Sequence, residues 1–150
     1  MSLTAQFAQR ICATSFETLS ADDIGIAKRL IADGIAVAVA GSAEHAPKMF
    51  AEHVREQGGS GQCPVWGFGF STSPLLATYA NAVSMHVLDF EPMSNPSTHA
   101  ISPTVPGAFA LALRDGLDGR ELLTACAKGF EAQGRLLAAV DHRREASKFH

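Results

Sequence analysis

Residues 20–42 read Ser-Ala-Asp-Asp-Ile-Gly-Ile-Ala-Lys-Arg-Leu-Ile-Ala-Asp-Gly-Ile-Ala-Val-Ala-Val-Ala-Gly-Ser, and their spacing decides the fold class. Ser20 with Asp23 three residues later has the form of a helix start, with Asp as a weaker partner than Glu in a capping box. Ile24, Ile26, Ala27, Leu30, Ile31, Gly34, Ile35, Ala38 and Val39 then recur on one broad face, and Gly41-Ser42 ends the run. The expectation is a long buried helix whose Ala and Gly positions permit close packing.

Working outward, helical spacing continues in both directions. Leu3 to Ala13 carries Phe7, Ile11 and Cys12 on one side. Pro47 suits a first helical turn, followed by Met49, Phe50, His53 and Val54 until Gly58, Gly59 and Gly61 stop the pattern, so a helix ends near Gln57. Cys63 to Phe70, aromatic and glycine-rich, reads as a short extended segment lying over a core. Gly67-x-Gly69 has neither a third glycine nor a Lys-Ser/Thr ending, which argues against a phosphate cradle. Ser73-Pro74 opens another helix with an expected face of Leu75, Leu76, Tyr79, Ala80, Val83 and Val87. After a loop from Asp89 to Pro103, Val105 to Arg114 reads as a short helix closed by Asp115-Gly116. Asp118 then caps a helix from Gly119 to about Val140, with Leu122, Leu123, Cys126, Phe130, Leu136 and Leu137 on its apolar side. The expected fold class is mainly α.

Composition narrows the partners. The 150 residues are 47% hydrophobic and 18% charged, enough apolar material for a core. A net charge of -3 with scattered Lys and Arg gives no stripe able to neutralise phosphates, so nucleic acid is excluded as a partner class. Cys12, Cys63 and Cys126 are odd in number and far apart, which fits a reducing cytoplasm better than a disulfide framework or a zinc site. The tract Ile31 to Ala40 is interrupted by Asp33 and too short for a bilayer, and residues 1–16 do not have the form of a secretory signal. No membrane association is expected.

Chemistry concentrates in residues 86–104, where His86, Asp89, Glu91, Thr98, His99 and Ser102 fall within one loop and its entry. An imidazole oriented by a carboxylate can donate or accept a proton in carbon-acid chemistry. The structural alternative is that Asp89 ends a helix, Glu91 is solvated and His99 caps the next helix. His86 reads as a packed or helix-facing residue, and His45, His53 and His142 as surface histidines. Asp89, Glu91 and His99 are metal-ligand types, but their spacing matches no strong metal motif, and no metal or other cofactor is expected. Ser97, Thr98 and Ser102 lie near His99 without a GxSxG elbow, which leaves a hydrolase triad unsupported.

These residues carry a resemblance. Asp89-Phe90-Glu91 follows a helix containing Asn81 and His86, and Thr98-His99 follows ten residues after Asp89. That pattern resembles the MmgE/PrpD signature of LeuAspPheAsp before a ThrHisPro-type segment. Asp33-Gly34, the aromatic-glycine segment, Gly129-Phe130-Glu131 and terminal Phe149-His150 agree with it along nearly the whole chain. The chain departs from the pattern at Glu91-Pro92 in place of AspAsp, at Met93 where some members have a hydroxyl residue, and at Ala100 in place of proline.

The resemblance implies a large all-helical domain and a smaller α+β domain, of which residues 1–150 would be part of the first and the remainder absent. It also implies metal-free chemistry on small polycarboxylates, as in 2-methylcitrate dehydratases, cis-aconitate decarboxylases and an iminodisuccinate epimerase. By the same resemblance Asp89, His99 and His150 match active-site positions, Glu91 and Thr98 would contact substrate, and a homodimer is expected. Dehydration of a 2-methylcitrate-like acid is the leading expectation, with decarboxylation, epimerisation and a non-catalytic helical module as alternatives. No Lys or Arg occurs between Arg55 and Arg114, so cations for a polycarboxylate would have to come from elsewhere.

Overall fold

The computed structural model describes residues 1–95 and 97–147, with side chains through residue 140. Among the described residues six α-helices run in the order α1 (Leu3–Ala13), α2 (Ala21–Gly41), α3 (His45–Gln57), α4 (Pro74–His86), α5 (Val105–Asp115) and α6 (Gly119–Ser147). Between α3 and α4 lies a two-stranded antiparallel hairpin, β1 (Cys63–Val65) and β2 (Phe70–Thr72). The mainly α expectation holds.

Local chemistry explains most boundaries. Ser20 and Asp23 form the reciprocal capping box despite the shorter acid: Ser20 Oγ accepts from the Asp23 N–H, and Asp23 accepts from the Ser20 N–H. Ser73 caps α4 ahead of Pro74 at the first helical position. Gly116 closes α5 in the left-handed conformation, and Asp118 Oδ1 accepts from the N–H groups of Arg120 and Glu121 to open α6. Helix α6 continues to Ser147, beyond the expected end near Val140.

Helix α4 is the hub, packing on α2, α3, α5 and both strands, while α6 lies against α2 and α5. Its buried face matches the expected one only at Ala80, with Leu76 packed beside it. Leu75, Tyr79 and Val87 are exposed, and the inward residues are Ala77, Ala80, Asn81, Ser84 and Met85. Small side chains let α2 and α4 approach closely, and a Cβ at Gly41 would stand only 2.0 Å from the Ser84 carbonyl oxygen. Ile26, Val39, Met49 and Leu136, expected on apolar faces, are exposed as well.

The aromatic-glycine segment turns back on itself rather than running as one extended stretch. Gly67 (φ 82°) and Gly69 (φ 67°) supply the left-handed positions of its turn. Asn81 fixes the hairpin to α4, accepting from the Trp66 N–H at 2.8 Å and donating to the Pro64 carbonyl at 2.9 Å. Trp66 then joins Ala38, Met85, Ile101, Val105 and Cys126 in the main core. Ile101 belongs to the loop after α4, so the segment rich in ionisable residues is anchored in the core at its far end.

Candidate active site

Helix α4 delivers His86 at its last turn, and the chain then reverses at Asp89, the single non-glycine residue with positive φ (55°) among the described residues. The Asp89 N–H closes this turn on the His86 carbonyl at 2.9 Å. Asp tolerates the left-handed region better than most residues. The turn leaves Asp89 and Phe90 exposed and sends Glu91 inward.

Beyond it the loop folds as a short arc. Met93 and His99 form an isolated antiparallel bridge, and the Ser94 N–H donates to the Thr98 carbonyl at 3.0 Å. Gln133, from α6, donates to the His99 carbonyl at 2.8 Å and reaches Thr98 Oγ1 at 3.5 Å. Ala100, Ile101 and Ser102 are buried immediately after. Thus the loop is held by its own bridge, by α6 and by the core.

Glu91 is the centre of the cluster, and its side chain has no exposed surface. Ser102 donates twice to it, from its N–H to Oε2 at 2.7 Å and from its hydroxyl to Oε1 at 2.5 Å. His86 Nδ1 lies 3.0 Å from Oε1, and His99 Nδ1 lies 3.3 Å from the same oxygen. The second contact is an ion-pair distance out of line for a hydrogen bond, so His99 Nδ1 has no hydrogen-bond partner among the described residues. Burial alone would raise the Glu91 pKa, but the Ser102 hydroxyl, His86, the Ser102 N–H and the charge of His99 together hold it below the ordinary carboxylate value. Glu91 is therefore an ionised carboxylate within the protein, not the solvated acid that sequence alone allowed.

His99 meets a second carboxylate, with Nε2 3.3 Å from Asp89 Oδ1. The His86 and His99 rings stand edge to face, centroids 4.6 Å apart at 86°. His86 belongs to the cluster, contrary to the packed role expected from its place on α4, and its side chain is 53% exposed. The signal available in sequence was the i, i+5 separation from Glu91, which acquires meaning only when the turn at Asp89 is known. Ser102 likewise gave no local sign.

The structure thus brings together Asp89, Glu91 and His99, with Thr98 half-buried beside them. His99 does not cap α5, which begins after Thr104. His150 lies outside the described residues. Ligand atoms of His86, Glu91 and His99 fall within 4.8 Å of one another, donor types suited to a divalent ion. The same Glu91 oxygen already receives the Ser102 hydroxyl and the His86 ring, and hydrogen bonding and ion pairing account for the arrangement without assigning the three as ligands. A cleft of about 500 Å³ lies between α1, α2 and α6, lined by residues including Leu30, Asn95, Lys128 and Glu131; none of Asp89, Glu91 or His99 lines it.

No helix among the described residues is long and apolar enough to cross a membrane. The model of the MmgE/PrpD N-terminal domain matches residues 5–150. The chain is similar to the cis-aconitate decarboxylases of Mus musculus and Homo sapiens, each 28% identical over 155 residues that cover 99% of this chain. It spans 32% of the length of those relatives.

Proposed function

The chain belongs to the MmgE/PrpD family, through its N-terminal domain, and from that premise we propose that the full protein is a lyase acting on a small polycarboxylate. In this reading residues 86–102 supply the proton-transfer part of the site. The observation that carries it is His99 placed between two carboxylates, Asp89 at Nε2 and Glu91 at Nδ1. In this reading His99 is the proton carrier, with Asp89 and Glu91 setting its direction.

Glu91 acts as an orienting group in this proposal rather than in direct contact with substrate, because its side chain is wholly covered. Thr98 remains a candidate for substrate contact. A polycarboxylate also needs cations. Among the described residues no Lys or Arg forms an ion pair with this cluster.

Dehydration of a 2-methylcitrate-like acid is the first specific reading. A base removes the proton beside a carboxylate, the C–O bond breaks, and the departing hydroxide takes the His99 proton to leave as water. Decarboxylation is the second, favoured by the two relatives that are cis-aconitate decarboxylases. There the C–C bond breaks, carbon dioxide leaves, and the electron pair left on carbon takes the His99 proton. Full-length protein supplied separately with 2-methylcitrate and cis-aconitate separates them by release of water or of carbon dioxide. Turnover of neither, or wild-type turnover by His99→Ala, would overturn the proposal.

A further inference from the structure

We infer that Gln133, on α6, is a positioning residue of the site: its amide holds the main chain of His99 and so fixes where the proton carrier stands. The imidazole is not held in place by its own ring contacts. Among the described residues its Nδ1 has no hydrogen-bond partner, and the Asp89 carboxylate facing Nε2 is 78% exposed. An exposed carboxylate is a loose anchor, because water competes for its oxygens. Asp89 and Glu91 can therefore turn the ring, but the point from which it turns is set by the backbone at His99. That backbone is attached through the bridge to Met93, through the buried run Ala100 to Ser102, and through Gln133. The bridge and the run belong to the loop itself; Gln133 ties it to a helix.

The mount is tightly packed. One turn before Gln133, α6 presses on the start of α5, where a Cβ on Gly129 would stand 2.4 Å from Thr104 Cγ2. Phe130, the next residue, packs against the main core. Residues four apart share a helix face, so Gln133 lies on the side of α6 that meets the loop and the start of α5. From there its Nε2 donates to the His99 carbonyl at 2.8 Å and reaches Thr98 Oγ1 at 3.5 Å. The carbonyl only accepts, which fixes the amide with its nitrogen toward the loop. The His99 carbonyl and imidazole belong to one residue, so a shift of the first carries the second. Misplacing a reacting group by about 1 Å can cost roughly 10²-fold in rate. A side chain that acts through placement alone lowers kcat and leaves KM near its native value.

The part played in catalysis rests on the lyase reading; the hold on the loop does not. In the full-length protein, Gln133→Met keeps the length of the side chain without a donor, and Gln133→Glu keeps its shape while the ionised form has no N–H. Ser94 donates its N–H to the Thr98 carbonyl, and amide hydrogen exchange there is expected to quicken roughly 2- to 10-fold in both variants, with the amides of α4 unchanged. Native exchange at Ser94 in both would overturn the hold. With whichever of 2-methylcitrate and cis-aconitate the native protein turns over, kcat per folded molecule is expected to fall roughly 10- to 100-fold in both variants, with KM within about twofold of native. Asn81→Leu, which loosens the hairpin away from the site, is expected to keep its kcat per folded molecule. Native kcat in both Gln133 variants, or an equal fall in Asn81→Leu, would overturn the positioning role. If the native protein turns over neither acid, the lyase reading and that role fall together, and hydrogen exchange still decides whether Gln133 holds the loop.

Discussion

Ser102 grips Glu91 from both of its donors, its N–H on one carboxylate oxygen and its hydroxyl on the other. The hydroxyl bond is charge-assisted and out of water. Ser102→Ala in the full-length protein should therefore cost about 1.5–3 kcal/mol, the range for a hydrogen bond to a charged group. Chemical denaturation measures the loss. A change below about 0.5 kcal/mol would mean the hydroxyl is dispensable to the loop.

The same carboxylate gives a pH dependence with a definite sign. Its folded-state pKa is held below its ordinary value of 4.5, so its ionised form contributes stability that is fully present above that pH. The contribution is lost as pH falls through the depressed folded value. Urea unfolding of wild type and Glu91→Gln between pH 3 and 7 should show the wild-type advantage near neutrality shrinking on the acid side. An advantage that grew with acid would contradict the assignment.

The recoverability of this site from sequence divides along physical lines. Asp89, Glu91 and His99 could be gathered into one loop because they are close in the chain and bounded by helix signals. Their orientation could not, because it depends on one left-handed residue, Asp89, and on a serine eleven residues beyond Glu91. His86 was read as packed because its place on α4 showed only helical spacing. The face of α4 was misjudged for a related reason. Periodicity weights Leu75, Tyr79 and Val87, whereas close helix packing selects Ala77, Asn81 and Ser84 beside the expected Ala80. Caps at Ser20, Ser73, Gly116 and Asp118 were legible because a cap is a local event.

Asn81 is a buried polar residue whose amide is used on both sides, so removing it exposes a fault at some distance from the chemistry. Asn81→Leu leaves the Trp66 N–H and the Pro64 carbonyl without their partner inside the core. The expected loss is about 2–4 kcal/mol, from two unsatisfied backbone groups at roughly 1–3 kcal/mol each and partial relaxation. Thermal unfolding of the full-length variant tests this. A Tm equal to wild type would show that the hairpin is held by Val65 and the surrounding apolar contacts alone.

Asp89 separates activity from stability. Its left-handed backbone is of a kind that favours glycine, while its carboxylate lies 3.3 Å from His99 Nε2. Asp89→Gly relieves the backbone but frees the unfolded chain, and these effects oppose each other at about 0.5–1 kcal/mol each. Stability should therefore change little, while loss of the charge beside His99 lowers turnover. Asp89→Asn keeps the length of the side chain and removes the charge, and should lower turnover in the same direction. Rates that fall in Asp89→Gly but stay at wild type in Asp89→Asn would place the effect in backbone shape instead. In that case Asp89 acts through the turn it makes, and Glu91 is the carboxylate that orients His99.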